Sequence, residues 1–281
     1  MNVSTTIEDC RQRRSSLGRL ALVPTMGALH EGHLSLIRMA RQHAPRVAVS
    51  IFVNPTQFGP HEDFQKYPRP IEKDLEMCRG AGVDLVFNPP PAEMYRPGVP
   101  DASVDLPSLS GVLEGKHRPG HFKGVCQVVA KLLNIVQPQV ACFGQKDFQQ
   151  LRILSAMVEA LDFAVHVVGC PTVREPDGLA MSSRNIYLSA ADRQRALSIP
   201  RALRLAEQEF ASGVRQTNRL MTTMQKVMLE QHLSIDYVAA VDPQTLKNVD
   251  LVRGPTLLAI AARVGTTRLI DNLMLEAPVE G

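Results

Sequence analysis

Residues 47–53 read VAVSIFV, an unbroken run of apolar and mostly β-branched side chains around a lone serine. A strand of that composition has no polar face to offer water, so both faces must be covered. Strands of this kind belong to parallel sheets wrapped by helices. Its neighbours in sequence agree. Apolar runs at 20–23, 83–87, 139–143 and 163–168 also read as strands. Between them apolar side chains recur at helical spacing: Leu34, Ile37 and Ala40; Leu75 and Cys78 within 71–79; Val125, Val128, Val129, Leu132, Leu133 and Val136; Leu151, Leu154, Val158 and Leu161. The alternation persists to about residue 170. It predicts an α/β fold, a Rossmann-like, doubly wound parallel sheet, over residues 1–172.

The pattern changes after Cys170-Pro171. Residues 174–185 (REPDGLAMSSRN) are polar and turn-rich. Ser189 and Asp192 have the spacing of a capping box at a helix start, and Pro200 interrupts or kinks that helix. A second helix follows over 214–231, then strands at 235–241, 256–264 and 269–275. This is a smaller C-terminal α+β domain, residues 173–281. Residues 60–69 and 93–101 read as irregular, 104–109 fit no single pattern, and 114–124 (EGKHRPGHFKG) cannot be regular throughout.

Composition excludes several classes. Of 281 residues, 44% are hydrophobic and 21% charged, enough for a core and too few charges for a disordered chain. A net charge of +3, no Trp and 5% aromatics give no footing for nucleic acid. The basic cluster Arg11, Arg13 and Arg14 reads as a solvated helix face. No apolar stretch approaches the roughly 20 residues that span a bilayer, and the first residues lack a secretory signal's apolar core. Five scattered cysteines without a C-x-x-C pair predict reduced, buried thiols and a cytoplasmic setting.

The chemistry concentrates where strands end. Residues 20–41 (LALVPTMGALHEGHLSLIRMAR) read as strand, glycine-bearing loop and helix. A helix N-terminus in that position turns free N–H groups and a positive dipole end toward a ligand, a natural phosphate site. Neither G-x-x-x-x-G-K-[ST] nor G-x-G-x-x-G is present. The distinctive groups are His30 and His33, with Gly32 allowing close approach. An imidazole pair fits phosphate contacts, a metal, or plain surface histidines. Residues 54–59 (NPTQFG) follow another strand. Lys146, in GQKD (144–147), sits where a compact cation meets a phosphate, or is simply solvated. Ser182, Ser183 and Arg184 offer hydroxyls and a guanidinium, or another helix cap.

Taken together, PTMGALHEGH (24–33), FVNPTQF (52–58), RPGHFKGV (118–125), FGQKDFQQL (143–151) and LAMSSRN (179–185) closely resemble the pantoate–β-alanine ligase (pantothenate synthetase) family. That family lies within the nucleotidyltransferases that share His-x-Gly-His with class I aminoacyl-tRNA synthetases. The resemblance implies an ATP-dependent condensation of pantoate with β-alanine through a pantoyl adenylate, releasing AMP and pyrophosphate. It implies catalytic roles for His33, His30, Lys146 and Arg184. It assigns ATP to Met26, Gly27, Ala28, Leu29, His30, Glu31, Gly32, His33, Gly144, Gln145, Lys146, Asp147, Val173, Met181, Ser182, Ser183 and Arg184. Pantoate and β-alanine fall to Pro24, Thr25, Met26, Gln57, Val129, Phe143 and Gln150. Mg²⁺ would arrive on the ATP phosphates. Asp74 is a weak candidate for a metal-bound water and reads more naturally as a solvated helix carboxylate. A homodimer and a C-terminal domain that closes over the nucleotide are further expectations. The nearest alternatives are a nucleotidyltransferase that adenylates a phosphate, and a nucleotide-binding module without turnover.

Overall fold

A computed structural model describes residues 1–60 and 62–276; His61, within the irregular 60–69 stretch, and residues 277–281, at the end of the predicted second domain, lie outside it. In chain order the elements are β1 (Asn2–Ser4), α1 (Ile7–Ser15), β2 (Leu20–Thr25), α2 (Glu31–His43), β3 (Arg46–Ile51), α3 (Ile71–Gly80), β4 (Leu85–Phe87), α4 (Pro91–Met94), α5 (Pro107–Ser110), α6 (Leu113–His117), α7 (His121–Val136), β5 (Val140–Gly144), α8 (Phe148–Ala160), β6 (His166–Cys170), α9 (Ala190–Ala196), α10 (Ser198–Ala211), α11 (Thr217–Leu229), β7 (Ser234–Val241), β8 (Thr256–Val264) and β9 (Thr267–Leu275). The chain forms two compact units. The first contains Met1–Gly111, Arg118–Gln145 and Ile153–Pro171. The second contains Val112–His117, Lys146–Arg152 and Thr172–Gly281, of which the described part ends at residue 276.

In the first unit six strands pair in the order β1-β4-β3-β2-β5-β6, every pair parallel. The chain winds outward from β2 through β3 and β4, then restarts on the other side at β5. The switch point therefore lies between β2 and β5, where an open α/β sheet binds its ligand. Pairing across the switch stops at Leu22↔Ala141, whereas β2 stays paired to β3 as far as Thr25↔Ile51. Pro24, without an N–H, sits in the stretch of β2 that β5 no longer needs. One face packs Ala21, Val23, Val47 and Val49 on Ile37 and Ala40 of α2 and Cys78 of α3. α7 runs against β2 with Val125, Val129, Leu132, Leu133 and Val136 buried.

Two differences from expectation concern the N-terminus. Residues 2–4 form the edge strand β1, registered on β4 from Asn2↔Leu85 to Ser4↔Phe87. The Arg11, Arg13, Arg14 cluster is not uniformly solvated: Arg14 donates to the carbonyls of Val136 (2.8 Å) and Gln137 (2.8 Å), closing the C-terminus of α7.

In the second unit β7, β8 and β9 form an antiparallel sheet, with β8 in the middle. α10 and α11 cover it, burying Ile199, Leu203, Leu220, Met224 and Met228 against Leu258 and Ile260. Ser189 caps α9 by accepting from Asp192 N. Pro200 stands in the first turn of α10, where its missing N–H costs nothing. Among the described residues no helix is long and apolar enough to cross a membrane. All five cysteines are buried and unpaired; burial pushes the Cys10 thiol up to about 11 and those of Cys78 and Cys126 up to about 12, so these three are unreactive as thiolates.

Candidate active site

The loop after β2 is held in place from below. Thr25 Oγ1 donates to Ser50 O at 2.7 Å and accepts Gly27 N at 3.2 Å. Gly27 and Ala28 both have positive φ, at 81° and 50°. That turn directs the next two amides at one carboxylate: Ala28 N reaches Asp74 Oδ2 and Leu29 N reaches Asp74 Oδ1, both at 2.8 Å. Asp74 is 1% exposed. A Cβ on Gly27 would lie 2.8 Å from Asp74 Oδ2, so only glycine fits.

The solvated reading of Asp74 is thereby corrected. Asp74 shares a helix face with Ile71, Leu75 and Cys78, and both of its oxygens are committed to backbone amides. The same geometry uses up the Ala28 and Leu29 N–H groups, which point at Asp74 and not outward. Burial raises the Asp74 carboxyl above its ordinary value, outweighing the two amide bonds that favour the anion. With the folded value above the unfolded one, its contribution to stability is full below the ordinary carboxylate range. It is lost as pH rises through the raised value. Asp74→Asn should remove that component of the pH dependence of Tm. It also sets an amide NH₂ against one of two buried N–H groups, at a cost of about 1–3 kcal/mol. Equal Tm-versus-pH curves for the two proteins would contradict the assignment.

His30 is the N-cap of α2. Its Nδ1 accepts Gly32 N at 3.2 Å, and His33 Nδ1 accepts His30 N at 3.3 Å. The two imidazoles thus form a reciprocal cap in positions usually given to Ser, Thr, Asp or Glu. An Nδ1 that accepts carries no proton, so each ring is the neutral Nε2–H tautomer. The rings lie 4.1 Å apart between centroids. The pair stands at the positive end of α2, beside the switch point, where a negative charge is favoured. Glu31 turns away to pair with Arg38.

The loop after β3 is equally fixed. Asn54, 1% exposed, caps a 3-10 turn at Pro55–Gln57. Its Oδ1 accepts Thr56 N, Thr56 Oγ1 (3.0 Å) and Tyr95 OH (2.7 Å). Its Nδ2 donates to Gln57 Oε1 (3.0 Å) and Gly124 O (3.1 Å). This order orients the Gln57 amide. Its Oε1 accepts from Asn54, and its Nε2 donates toward Met26 Sδ at 3.2 Å. Asn54 and Tyr95 are contributors that sequence reasoning missed. Asn54 had a local signal, an Asn-Pro-Thr cap with proline at the first helical position; Tyr95 had none. Val129 on α7 and Phe143 on β5 are buried, at 4% and 5% exposure. Gly144 ends β5, and a Cβ there would meet nothing within 4 Å, leaving open space at the switch point.

Gln145 ends a segment of the first unit, and the remaining candidates belong to the second. Lys146 is fixed through its carbonyl, which accepts Asn272 Nδ2 at 2.8 Å, and its Nζ lies 3.9 Å from Asp147 Oδ2. Of the adjacent glutamines, Gln149 is buried and structural, bonding Glu114 N and Val112 O, while Gln150 is half-buried. Residues 173–185 form a braced turn. Met181 N bonds Val173 O at 2.9 Å. Arg174 pairs with the buried Asp271 through two nitrogens, at 2.7 and 3.1 Å, and Arg193 pairs with Glu175 and Asp177. Ser182 caps the turn Ser183–Tyr187 by accepting Arg184 N, and Asn185 Nδ2 bonds Glu175 and Ala180 O.

A family model described as pantoate-beta-alanine ligase matches residues 2–274. A bifunctional pantoate ligase/cytidylate kinase from Gloeobacter violaceus is 52% identical over 96% of this chain, which spans 53% of that longer protein. A crystal structure of pantothenate synthetase from Thermus thermophilus superposes with a TM-score of 0.93 at 42% identity, covering 97% of this chain and 99% of the other. A structure of pantoate-beta-alanine ligase from Francisella tularensis complexed with beta-gamma ATP and beta-alanine gives 0.81 at 33% identity, covering 98% and 97%. With the match running through both units, the chain belongs to the pantoate–β-alanine ligase family.

Proposed function

We propose that this chain condenses pantoate with β-alanine at the expense of ATP, in two steps. A pantoate carboxylate oxygen attacks the α-phosphorus of ATP, the bond to pyrophosphate breaks, and a pantoyl adenylate forms. The neutral amine of β-alanine then attacks the acyl carbon. The carbon–oxygen bond to AMP breaks, and the nitrogen sheds its proton. Both reactants of the first step are anions, so the site must meet them with donors and positive potential in a water-poor cleft. The observation that carries this reading is the reciprocal imidazole cap on α2, which sets His30 and His33 side by side at a helix N-terminus beside the switch point.

In this reading His33 donates where charge builds on the α-phosphate and departing pyrophosphate, and His30 donates along the phosphate chain. Lys146 and Arg184 add charge, Gly144 and Asp147 meet the ribose, and Val173 with Met181, Ser182 and Ser183 serves the adenine and phosphate side. Gln57 and Gln150 hold pantoate, with Val129 and Phe143 against its gem-dimethyl group. Mg²⁺ would come bound to the triphosphate, a mode suited to an ion that keeps its waters; both Asp74 oxygens already accept backbone amides. A cytoplasmic homodimer completes the proposal.

Gln57→Ala and Gln150→Ala test the pantoate assignment. Each should raise the pantoate KM with ATP binding near normal, by the equivalent of about 1–3 kcal/mol at the buried Gln57, the cost of an unpaired buried group, and by less at the half-buried Gln150. An equal loss for ATP would place these glutamines elsewhere.

A further inference from the structure

The motif RPGHFKGV has no part in the chemistry described so far, yet two of its polar side chains, Arg118 and His121, form a chain of bonds that ends on the Gln57 turn. His121, 8% exposed, sits in the first turn of α7. Its Nε2 lies 3.0 Å from Arg118 NH1 and its Nδ1 lies 2.8 Å from Gln57 O. A guanidinium nitrogen can only donate, so Nε2 must accept and the proton must be on Nδ1. The imidazole therefore donates to the Gln57 carbonyl. Arg118 is held in turn by Glu62, with Nε to Oε1 at 2.6 Å and NH2 to Oε2 at 2.7 Å. Burial opposes ionising Glu62, but the bidentate guanidinium outweighs it and holds the carboxyl below its usual range.

We propose that His121 is a positioning residue for pantoate, with Arg118 and Glu62 fixing its tautomer so that it pins the Gln57 peptide and sets the direction of the Gln57 amide. The proposal rests on the reading that Gln57 holds pantoate. The side chain of Gln57 is held at its tip by Asn54 and Met26 and at its root by His121; loss of the root bond frees the peptide from which the buried amide is aimed. A residue that aims a contact made equally in bound substrate and transition state shows itself in KM and not in kcat.

Two substitutions separate this role from mere packing. In His121→Asn the side-chain NH₂ lies where Nδ1–H was, and can still donate to Gln57 O. In His121→Gln the amide lies where Nε2 was, and can answer Arg118 but not Gln57. His121→Gln should raise the pantoate KM roughly tenfold, the scale of one hydrogen bond, while the ATP KM and kcat change little. His121→Asn should restore most of the lost affinity. Arg118→Met, which leaves the imidazole in place and unlocks its tautomer, should raise the same KM and serves should His121→Gln not fold. The proposal is overturned if His121→Asn and His121→Gln shift pantoate KM equally, if ATP and pantoate KM rise together, or if folded Arg118→Met binds pantoate normally. Gln57→Ala run alongside tells the two levels apart. An unchanged pantoate KM there removes the underlying reading, whereas a raised one beside a normal His121→Gln removes only the role of His121.

Discussion

His33→Ala should lower kcat by roughly 10²–10³, the usual cost of removing one preorganised donor to developing charge, with the ATP KM close to normal. The donor meets charge that grows in the first step, so its loss falls on the transition state more than on bound ATP. The cap geometry sharpens the expectation. In the proposed mechanism His33 has two tasks: Nδ1 accepts the His30 amide, and Nε2–H donates to the phosphate. His33→Gln keeps an N–H near the Nε2 position and gives up the cap. It should recover part of the rate and lose stability of about 1 kcal/mol. His33→Asn places an oxygen near Nδ1 and gives up the distal donor, so it should keep the stability and not the rate. Rapid-quench measurement of the first turnover, with thermal melts on the same proteins, resolves the two tasks. Adenylate formation at the parent rate in His33→Ala would make the residue structural.

Gly124→Ala should be the most disruptive single methyl group in the first unit. A Cβ at Gly124 would lie 2.4 Å from Thr56 O, 2.5 Å from Thr56 C and 2.7 Å from Gln57 N. All three are backbone atoms, so no side chain can swing aside, and α7 or the 3-10 turn at Pro55–Gln57 must move. Overpacking of this kind costs about 1–3 kcal/mol, or roughly 2–4 °C in Tm for each kcal/mol at comparable chain lengths. The movement also stretches the Asn54-to-Gly124 bond and displaces Gln57. Pantoate affinity should therefore fall more than ATP affinity. A folded Gly124→Ala protein with an unchanged pantoate KM would show that the turn does not carry pantoate.

These expectations mark the boundary between what the sequence discloses and what it conceals. The six-strand sheet was legible for local reasons: the run at 47–53 has no polar face, and the segment at 125–136 repeats its valines and leucines at helical spacing. Only β1 escaped, because three residues show no period and its partner β4 lies more than eighty positions away. The His30 and His33 pair was legible as chemistry because imidazoles stood at a strand-loop-helix junction. Their mutual capping was not, since a histidine N-cap breaks the usual preference for small polar side chains. Asp74 was misjudged in its surroundings. Its helix-face position beside Leu75 and Cys78 pointed inward, but the amides that satisfy it come from the loop at Ala28 and Leu29. Gly124 and His121 carry no local signal for their roles. Each is explained by a backbone some sixty-odd residues earlier, which only the folded chain brings near. The roles of Lys146 and Ser182–Arg184 toward substrate rest on family resemblance, and that of Gln150 also on its substitution above.

The central claim is that pantoate is activated as an acyl adenylate before the amine takes part. Exchange of labelled pyrophosphate into ATP measures that step by itself. With enzyme, Mg²⁺, ATP and pantoate, and with β-alanine left out, label should enter ATP, and omission of pantoate should abolish the exchange. Exchange that requires β-alanine, or that proceeds without pantoate, would contradict the two-step account.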